Sequence, residues 1–536
     1  MSKLLIIGSG ASGVHFALSV LRKGYEVIMV DVGQPRPPAV NPEDTFNELK
    51  INLDDPVRYF LGPRYEAFVQ PGTEGEYYGF PPNKGYVFSQ PPLYQAQADG
   101  FAPLSSFAQG GLAEAWTGGV YPLNEEELKD FPFSYRDIEP FYSEVAARIG
   151  VTGVADDLAR FYPLHKNLLA PLRLDQHSQR LLTAYEKQRG HLNDKLNCYL
   201  GRARVATLSA DKGGRKACTY TGRCLWGCPT GAFYTPSLTL NECRAFPNFT
   251  YVPDVYVSHF KYDARNRLTS VVAESPAGGG VHEIAADVFV LAAGTLSSSR
   301  IFLDSVLEGS GERIALPGLM DNRQILVPFI NLGMIGEAYS PDNYQYHQLA
   351  LGIESGESGG YIHGLITTLK TALVHPIVQN VPLDLRTALT VFRNVRAGLG
   401  VVNVNLSDSR RANNFVTLRT NQDSARSSLF IKYAPPDGER AVIKQAIKTV
   451  KKILWRLGCV VPPGMTHVRP MGASVHYAGT IPMSAKQAPY TASAYCQSHD
   501  FDNLYFADGT TFPSLPAKNI TFTLMANAVR VAEHAF

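Results

Sequence analysis

The chain has 536 residues, 45% hydrophobic and 18% charged, with a formal net charge of +2. That length allows two or three domains, and that composition builds a core and excludes a disordered chain. The near-neutral charge, with no Lys/Arg run, argues against a nucleic-acid partner, and no apolar run is long enough to span a membrane.

The first stretch with a clear pattern is Leu4 to Asp31. Leu4 to Ile7 reads as a buried parallel strand. Gly8, Gly10 and Gly13 follow as G-x-G-x-x-G. Val14, Leu18 and Leu21 then recur at helical spacing, and Gly24 suits the helix end. Val27 to Val30 reads as a second strand with Asp31 at its tip. The glycines permit a tight turn against a pyrophosphate, and the helix N-terminus offers N–H groups to that anion. Asp31 stands 18 residues after Gly13, where a carboxylate accepts hydrogen bonds from a ribose diol. Together these parts predict a dinucleotide site and leave NAD and FAD open. The motif lies so near Met1 that no secretory signal is expected, and no twin-arginine signal is present. The sequence therefore predicts a cytoplasmic chain, or one exported with a partner.

Residues 35 to 100 are rich in Pro, Gly, Tyr and Phe and read as a long excursion, such as covers a cofactor. In residues 107 to 123, the pairs Gly110-Gly111 and Gly118-Gly119 bracket Trp116. Paired glycines suit either backbone pressed on a flat ligand or a surface turn. Residues 125 to 150 predict an amphipathic helix. Strands are expected over 248 to 262 and 282 to 294, the latter running into Gly294, with a helix from Ser298 to Asp304. Residues 306 to 475 mix strands with helical patches near 385–397 and 440–457 and read as the substrate-facing part. The patch at Leu385 to Leu399 reads as a packed surface helix. Near the end, His476 precedes a glycine turn. A strand from Leu504 to Ala507 runs into Asp508-Gly509. Asn519 precedes a helix from about Thr521 to His534, whose positive end would face whatever Asn519 faces.

Taken together, GSGASG near the start, GGLAEAWTGG near 110, VLAAGTLSSSR near 291, HYAGTIPM near 476 and the C-terminal NLYFADGTTFPSLPAKNITFTLMA resemble the glucose–methanol–choline (GMC) flavoprotein oxidoreductases. The resemblance implies FAD and an α/β (α+β overall) fold. In that fold a Rossmann-like FAD-binding domain is assembled from discontinuous segments, and the substrate domain is built on a mostly antiparallel sheet. The expected boundaries are 1–34, 100–124, 195–305 and 476–536 for the FAD-binding domain. Residues 35–99, 125–194 and 306–475 would form the substrate domain and the segments covering the cofactor.

The resemblance further implies oxidation of an alcohol, often on a sugar or polyol, by hydride transfer to flavin N5. His476 corresponds to the family's catalytic histidine and Asn519 to its His-or-Asn partner. Gly8, Gly10, Gly13 and Asp31 correspond to FAD-binding positions, as do Gly110 and Gly111 near the isoalloxazine. Asp508, followed by Gly509, corresponds to a position near the ribityl and phosphate groups. Where some members carry a histidine bonded to the flavin, this chain has Ala115, which implies non-covalent FAD. The chain departs from the pattern at Asn322, where many members have a histidine.

Seven cysteines in 536 residues make no disulfide framework. Cys218, Cys224 and Cys228 nevertheless form C-x5-C-x3-C-P. Zinc sites usually take four ligands at other spacings, so three thiolates in one loop suit an iron–sulfur cluster better, beside the simpler reading of buried or bridged thiols. The loop is similar to that of bacterial FAD-dependent sugar dehydrogenases of the same family, which implies a [3Fe–4S] cluster and a separate cytochrome or small electron-transfer subunit. Cys198, Cys243, Cys459 and Cys496 stand alone and read as structural. An FAD-containing lyase without net redox, an alcohol oxidase using oxygen, and a flavin-binding accessory protein are the competing functions. The pairing of His476 with Asn519 speaks against the last.

Overall fold

The computed structural model describes residues 2–68, 79–277, 280–355, 360–369, 374–379, 381–420 and 426–536. Part of the excursion expected over 35–100, residues 69–78, therefore lies outside the described residues. In chain order, the strands that position the site are β1 (Lys3–Ile7), β2 (Glu26–Val30), β3 (Cys198–Arg202), β4 (Phe249–Val252), β5 (Val288–Leu291), β6 (Arg323–Asn331), β7 (Leu349–Ser355), β8 (Gly360–Thr368), β9 (Leu399–Leu406) and β10 (Leu504–Phe506). The helices are α1 (Ala11–Arg22), α2 (Tyr135–Ile149), α3 (Gln176–Leu196), α4 (Thr295–Ser310), α5 (Glu439–Arg456) and α6 (Thr521–Ala535).

One sheet is wholly parallel, in the order β10-β5-β1-β2-β4. Its strands come from both ends and the middle of the chain, so this unit is assembled from separate segments, as expected. Leu4 to Ile7 are all buried, the continuous apolar run of a strand covered on both faces. Helix α1 is buried all round from Ala11 to Leu21, more than a single apolar stripe requires. The reason is α6, which covers its outer side; Phe16 meets Phe536 edge-on at 5.6 Å between ring centroids. Helix α2 covers α6 in turn, with the Tyr142 and Phe522 rings stacked at 5.1 Å.

The second large sheet runs from Cys459–Val460 through β6-β9-β8-β7-β3, every pair antiparallel. Alternate residues of its strands, among them Val327, Val402, Ile366, Leu349 and Leu200, form one apolar core with Leu181 and Leu192 of α3 and Val450 and Ile453 of α5. Its other face carries Gln324, Asn403, Asn405 and His363, opposite in parity to the core residues.

Tertiary pairing redraws several expected boundaries. Strand β3, expected with the cofactor domain, pairs with β7 (Leu351 with Leu200), because Cys198 and Leu200 alternate into the second core. Helix α2, expected with the substrate segments, packs Ile138, Tyr142, Val145 and Ile149 into the core of β1. The strand expected over 282–294 is two strands. Val281–Ala285 pairs antiparallel with Leu268–Glu274, and only β5 enters the parallel sheet. The break comes at Asp287, whose carboxylate accepts the Lys3 N–H at 2.8 Å on the sheet margin. The helical patch at Leu385–Val395 buries Ala388 and Phe392, as a packed surface helix does. Among the described residues, no helix is long and apolar enough to cross a membrane.

Candidate active site

At the C-terminal ends of β1, β2, β5 and β10 lies an open cleft, where open α/β sheets bind their ligands. Gly8, Gly10, Asp31, Gly111, His476, Asp508 and Gly509 all line it. Gly8 has φ +103°, and a Cβ there would lie 2.5 Å from the Ala292 carbonyl oxygen. The β1–α1 turn therefore needs glycine both for its conformation and for its closeness to β5. Gly13 does a different job. It is outside the cleft, and a Cβ on it would lie 2.2 Å from the Gly8 carbonyl oxygen, so it lets α1 sit against the turn. Neither α1 nor α6 has a side-chain cap, while both start on the cleft wall at Ala11 and Thr521. Their first backbone N–H groups are left for an anion.

Ser9, which the sequence pattern passed over as the x of G-x-G, joins the segments. Its N–H donates to Asp31 Oδ2 at 3.0 Å, its hydroxyl donates to the same oxygen, and it accepts the Gly110 N–H at 2.9 Å. Burial raises the Asp31 carboxyl to about 6 against the opposing pull of these bonds. Gly110 (φ +91°) thus acts through Ser9, and it is Gly111 that reaches the cleft. Asp508 lines the cleft with both carboxylate oxygens in use. Oδ2 accepts Gly294 N–H at 2.9 Å and the Ser298 hydroxyl at 2.5 Å, and Oδ1 accepts Thr510 N–H at 3.1 Å. It splices β10 to the start of α4, and Gly509 follows closely packed on the Tyr477 carbonyl.

His476 is buried, and burial lowers its imidazole to about 4. The turn before it wraps the Asp321 carboxylate, which accepts the Gly472 N–H at 2.6 Å, the Ser474 hydroxyl and the His476 N–H. Val475 lies at φ +56°, a strained position for a β-branched residue, held by this wrapping. Two amides flank the ring. Asn322 Oδ1 lies 3.0 Å from Nδ1, and Asn519 Nδ2 lies 3.2 Å from Nε2. The Asn322 NH₂ donates to the Leu406 and Pro516 carbonyls at 3.0 and 2.9 Å. Its oxygen is thereby turned to the ring, so Nδ1 carries the proton and Nε2 presents a lone pair. Asn322, which the sequence marked as a departure, is the group that orients His476.

Cys218, Cys224 and Cys228 line one small pocket. Cys218 is raised to about 11 and Cys224 well above a free thiol, by burial and then by the neighbouring thiols. Among the described residues, however, no group of three or more His, Cys, Asp or Glu side chains is placed to hold a metal ion. A [3Fe–4S] cluster on these thiols is not supported, although the three share one pocket. The loop also has a mechanical role. Arg223 donates to the Val40, Asn41 and Asp44 carbonyls, and Trp226 packs with Phe46 and Phe60, which pins the excursion down.

Comparison with known proteins agrees with this geometry. Residues 410–528 match the family model described as GMC oxidoreductase. The chain is similar to the GMC oxidoreductases over those residues. It is 23% identical over 554 residues to 6'''-hydroxyparomomycin C oxidase of Streptomyces lividus, covering 98% of this chain and 90% of the relative. It is 22% identical over 310 residues to the fructose dehydrogenase large subunit of Gluconobacter japonicus, covering 56% of this chain and 53% of the relative. In fold it is similar to pyridoxine 4-oxidase from Mesorbium loti, with a TM-score of 0.62, 14% identity and 99% of each chain covered. FAD is the cofactor that this family match supports. The cleft fits FAD: bare glycine backbone, two uncapped helix starts and the Asp31 carboxyl all line it.

Proposed function

We propose that the chain oxidises a CH–OH group of a small alcohol, sugar or polyol, with His476 as base and Asn519 as the amide that holds the substrate oxygen. The observation that carries this is the line Asn322–His476–Asn519, whose central His476 lines the cleft. Bound FAD supplies the hydride acceptor. The residues supply the rest. His476 Nε2, kept neutral by burial, takes the hydroxyl proton. Nδ1–H stays on Asn322 Oδ1, so the ring does not turn as it charges. Asn519 Nδ2, which rests on Nε2, is free to move its hydrogen bond to the substrate oxygen. Such a positioned base contributes about 10²–10⁴ in rate. Gly8, Gly10, Asp31 and Gly111 are assigned to FAD binding, with Gly13, Gly110, Asp508 and Gly509 shaping the backbone that does so. Ala115 has no side chain able to bond the flavin, so FAD is held non-covalently.

The fructose dehydrogenase large subunit supports an external carrier or partner subunit as electron acceptor. The relatives named as oxidases support oxygen. No step is routed through the three thiols. Purified protein titrated without oxygen should lose its flavin absorbance with members of a panel of sugars and alcohols, and acid should release that flavin into the supernatant. Turnover with oxygen or with a one-electron dye then separates the acceptors. Substrate binding without bleaching would instead mark a lyase.

Asn322→Asp gives a second check. A carboxylate beside Nδ1–H stabilises the imidazolium, so the His476 pKa rises from about 4 by roughly 1–3 units. Only the neutral ring is a base, so the acid limb of kcat/KM should move to higher pH by the same amount. An unmoved limb would show that His476 is not the group being titrated.

A further inference from the structure

Helix α5 reads ERAVIKQAIKTVKKILWR, and its two faces meet different surroundings. Ala446, Val450, Ile453 and Leu454 pack into the core of the antiparallel sheet. Lys444, Lys448, Lys451, Lys452, Trp455 and Arg456 recur at three- and four-residue steps, so they form one stripe on the outer side, and all are exposed. With Lys195 and Leu196 at the end of α3 they line an open groove whose apolar part is the half-buried Leu196 and Ile447.

The charge of this groove is unanswered within the chain. Among the described residues, no carboxylate lines it, and none forms an ion pair with its Lys and Arg side chains. The one carboxylate of α5, Glu439, is held by Arg323 at 2.8 Å. In a chain of net charge +2, this is a local surplus that repels itself until an anionic partner offsets it.

The apolar neighbours set the kind of partner. Trp455 is 68% exposed. The Leu332 N–H donates to the Gly458 carbonyl at 3.1 Å, so the turn carrying Leu332 and Ile335, each 48% exposed, stands beside the same end of the helix. An acidic protein segment would answer the charges. An exposed indole among lysines, with aliphatic side chains beside it, favours a lipid headgroup layer: the ring enters the layer, and the lysine stems lie along it with their ammonium groups at the phosphates.

We propose that this face seats on an anionic membrane surface and holds the protein at the bilayer without crossing it. None of its groove residues lines the FAD cleft, so membrane docking is independent of the oxidation chemistry.

The test is co-sedimentation of the holoenzyme with vesicles of phosphatidylcholine, either alone or with about 30% phosphatidylglycerol, at low salt and at about 0.5 M salt, where charge is screened within a few ångströms. Anionic vesicles should bind the protein more tightly than neutral ones by about tenfold or more, and salt should release it. The double variant Lys448→Glu, Lys452→Glu should lose that advantage while keeping wild-type flavin content and melting temperature. Trp455 emission should shift to the blue on the anionic vesicles, a shift that Trp455→Phe removes. Equal binding to both vesicles, binding to neither, or binding that the charge reversal leaves unchanged would overturn the proposal. Binding with the emission unmoved would leave diffuse charge attraction only and overturn the seating of this face. Binding to poly-L-glutamate and not to the anionic vesicles would give the face to an acidic protein partner and overturn the membrane as its occupant.

Discussion

Replacing His476 with alanine should cut the rate of flavin reduction by about two to four orders of magnitude, the contribution of a positioned base. The bound flavin should remain at wild-type stoichiometry. The strained turn around Asp321 sets the backbone of His476, and Asn322 sets its tautomer. Its Nε2 lone pair is then the one basic atom offered toward Asn519. Removing the ring leaves the glycine turn, Asp31 and the helix starts untouched, so binding of the cofactor is separable from proton transfer. Anaerobic stopped-flow of flavin bleaching measures the first quantity and absorbance of the purified protein the second. A variant that bleaches near the wild-type rate would leave another group as base; a variant that arrives without flavin would make the residue a structural one.

Gly8→Ala is the other large effect, and it falls on the cofactor. The new Cβ would meet the Ala292 carbonyl at 2.5 Å in a backbone held at φ +103°. The conformation alone costs an L-residue about 1–3 kcal/mol, and the collision is with backbone, which cannot rotate away. The turn must open, and the amides that face the cleft move with it. Flavin content should fall to a small fraction of wild type, with a lowered melting temperature that excess FAD partly restores. Gly294→Ala makes a control: it also has positive φ, +84°, and also lines the cleft, but its Cβ would meet nothing within 4 Å. It should carry the strain without the collision. Equal flavin content in wild type and Gly8→Ala would show that the turn does not face the cofactor.

What was legible in the sequence was what depends on local order. The strand–glycine–helix–strand–acid succession of Leu4 to Asp31 is a contiguous unit whose function follows from its own backbone. Its turn, helix and acid all stand where the spacing predicts. The start of α6 and the strand β10 were legible for the same reason. Residues that work through distant partners were not. Ser9 looked like a spacer because its partners, Asp31 and Gly110, are 22 and 101 residues away. Asn322 looked like a departure because the ring it orients is 154 residues on. Strand β3 and helix α2 changed sides because their apolar faces, similar in sequence to any others, found their match only in assembled cores. The thiol spacing suggested a ligand set, yet a ligand set is a matter of where three sulfurs converge, and spacing along a loop does not determine that. The sequence by itself pointed to a dinucleotide cofactor and singled out His476 and Asn519, which the fold brings to 3.2 Å of each other. Only the tertiary structure decided which nitrogen of His476 bears the proton and which face of the sheet stands beside it, because hydrogen bonds between remote segments exist only once the sheets have closed.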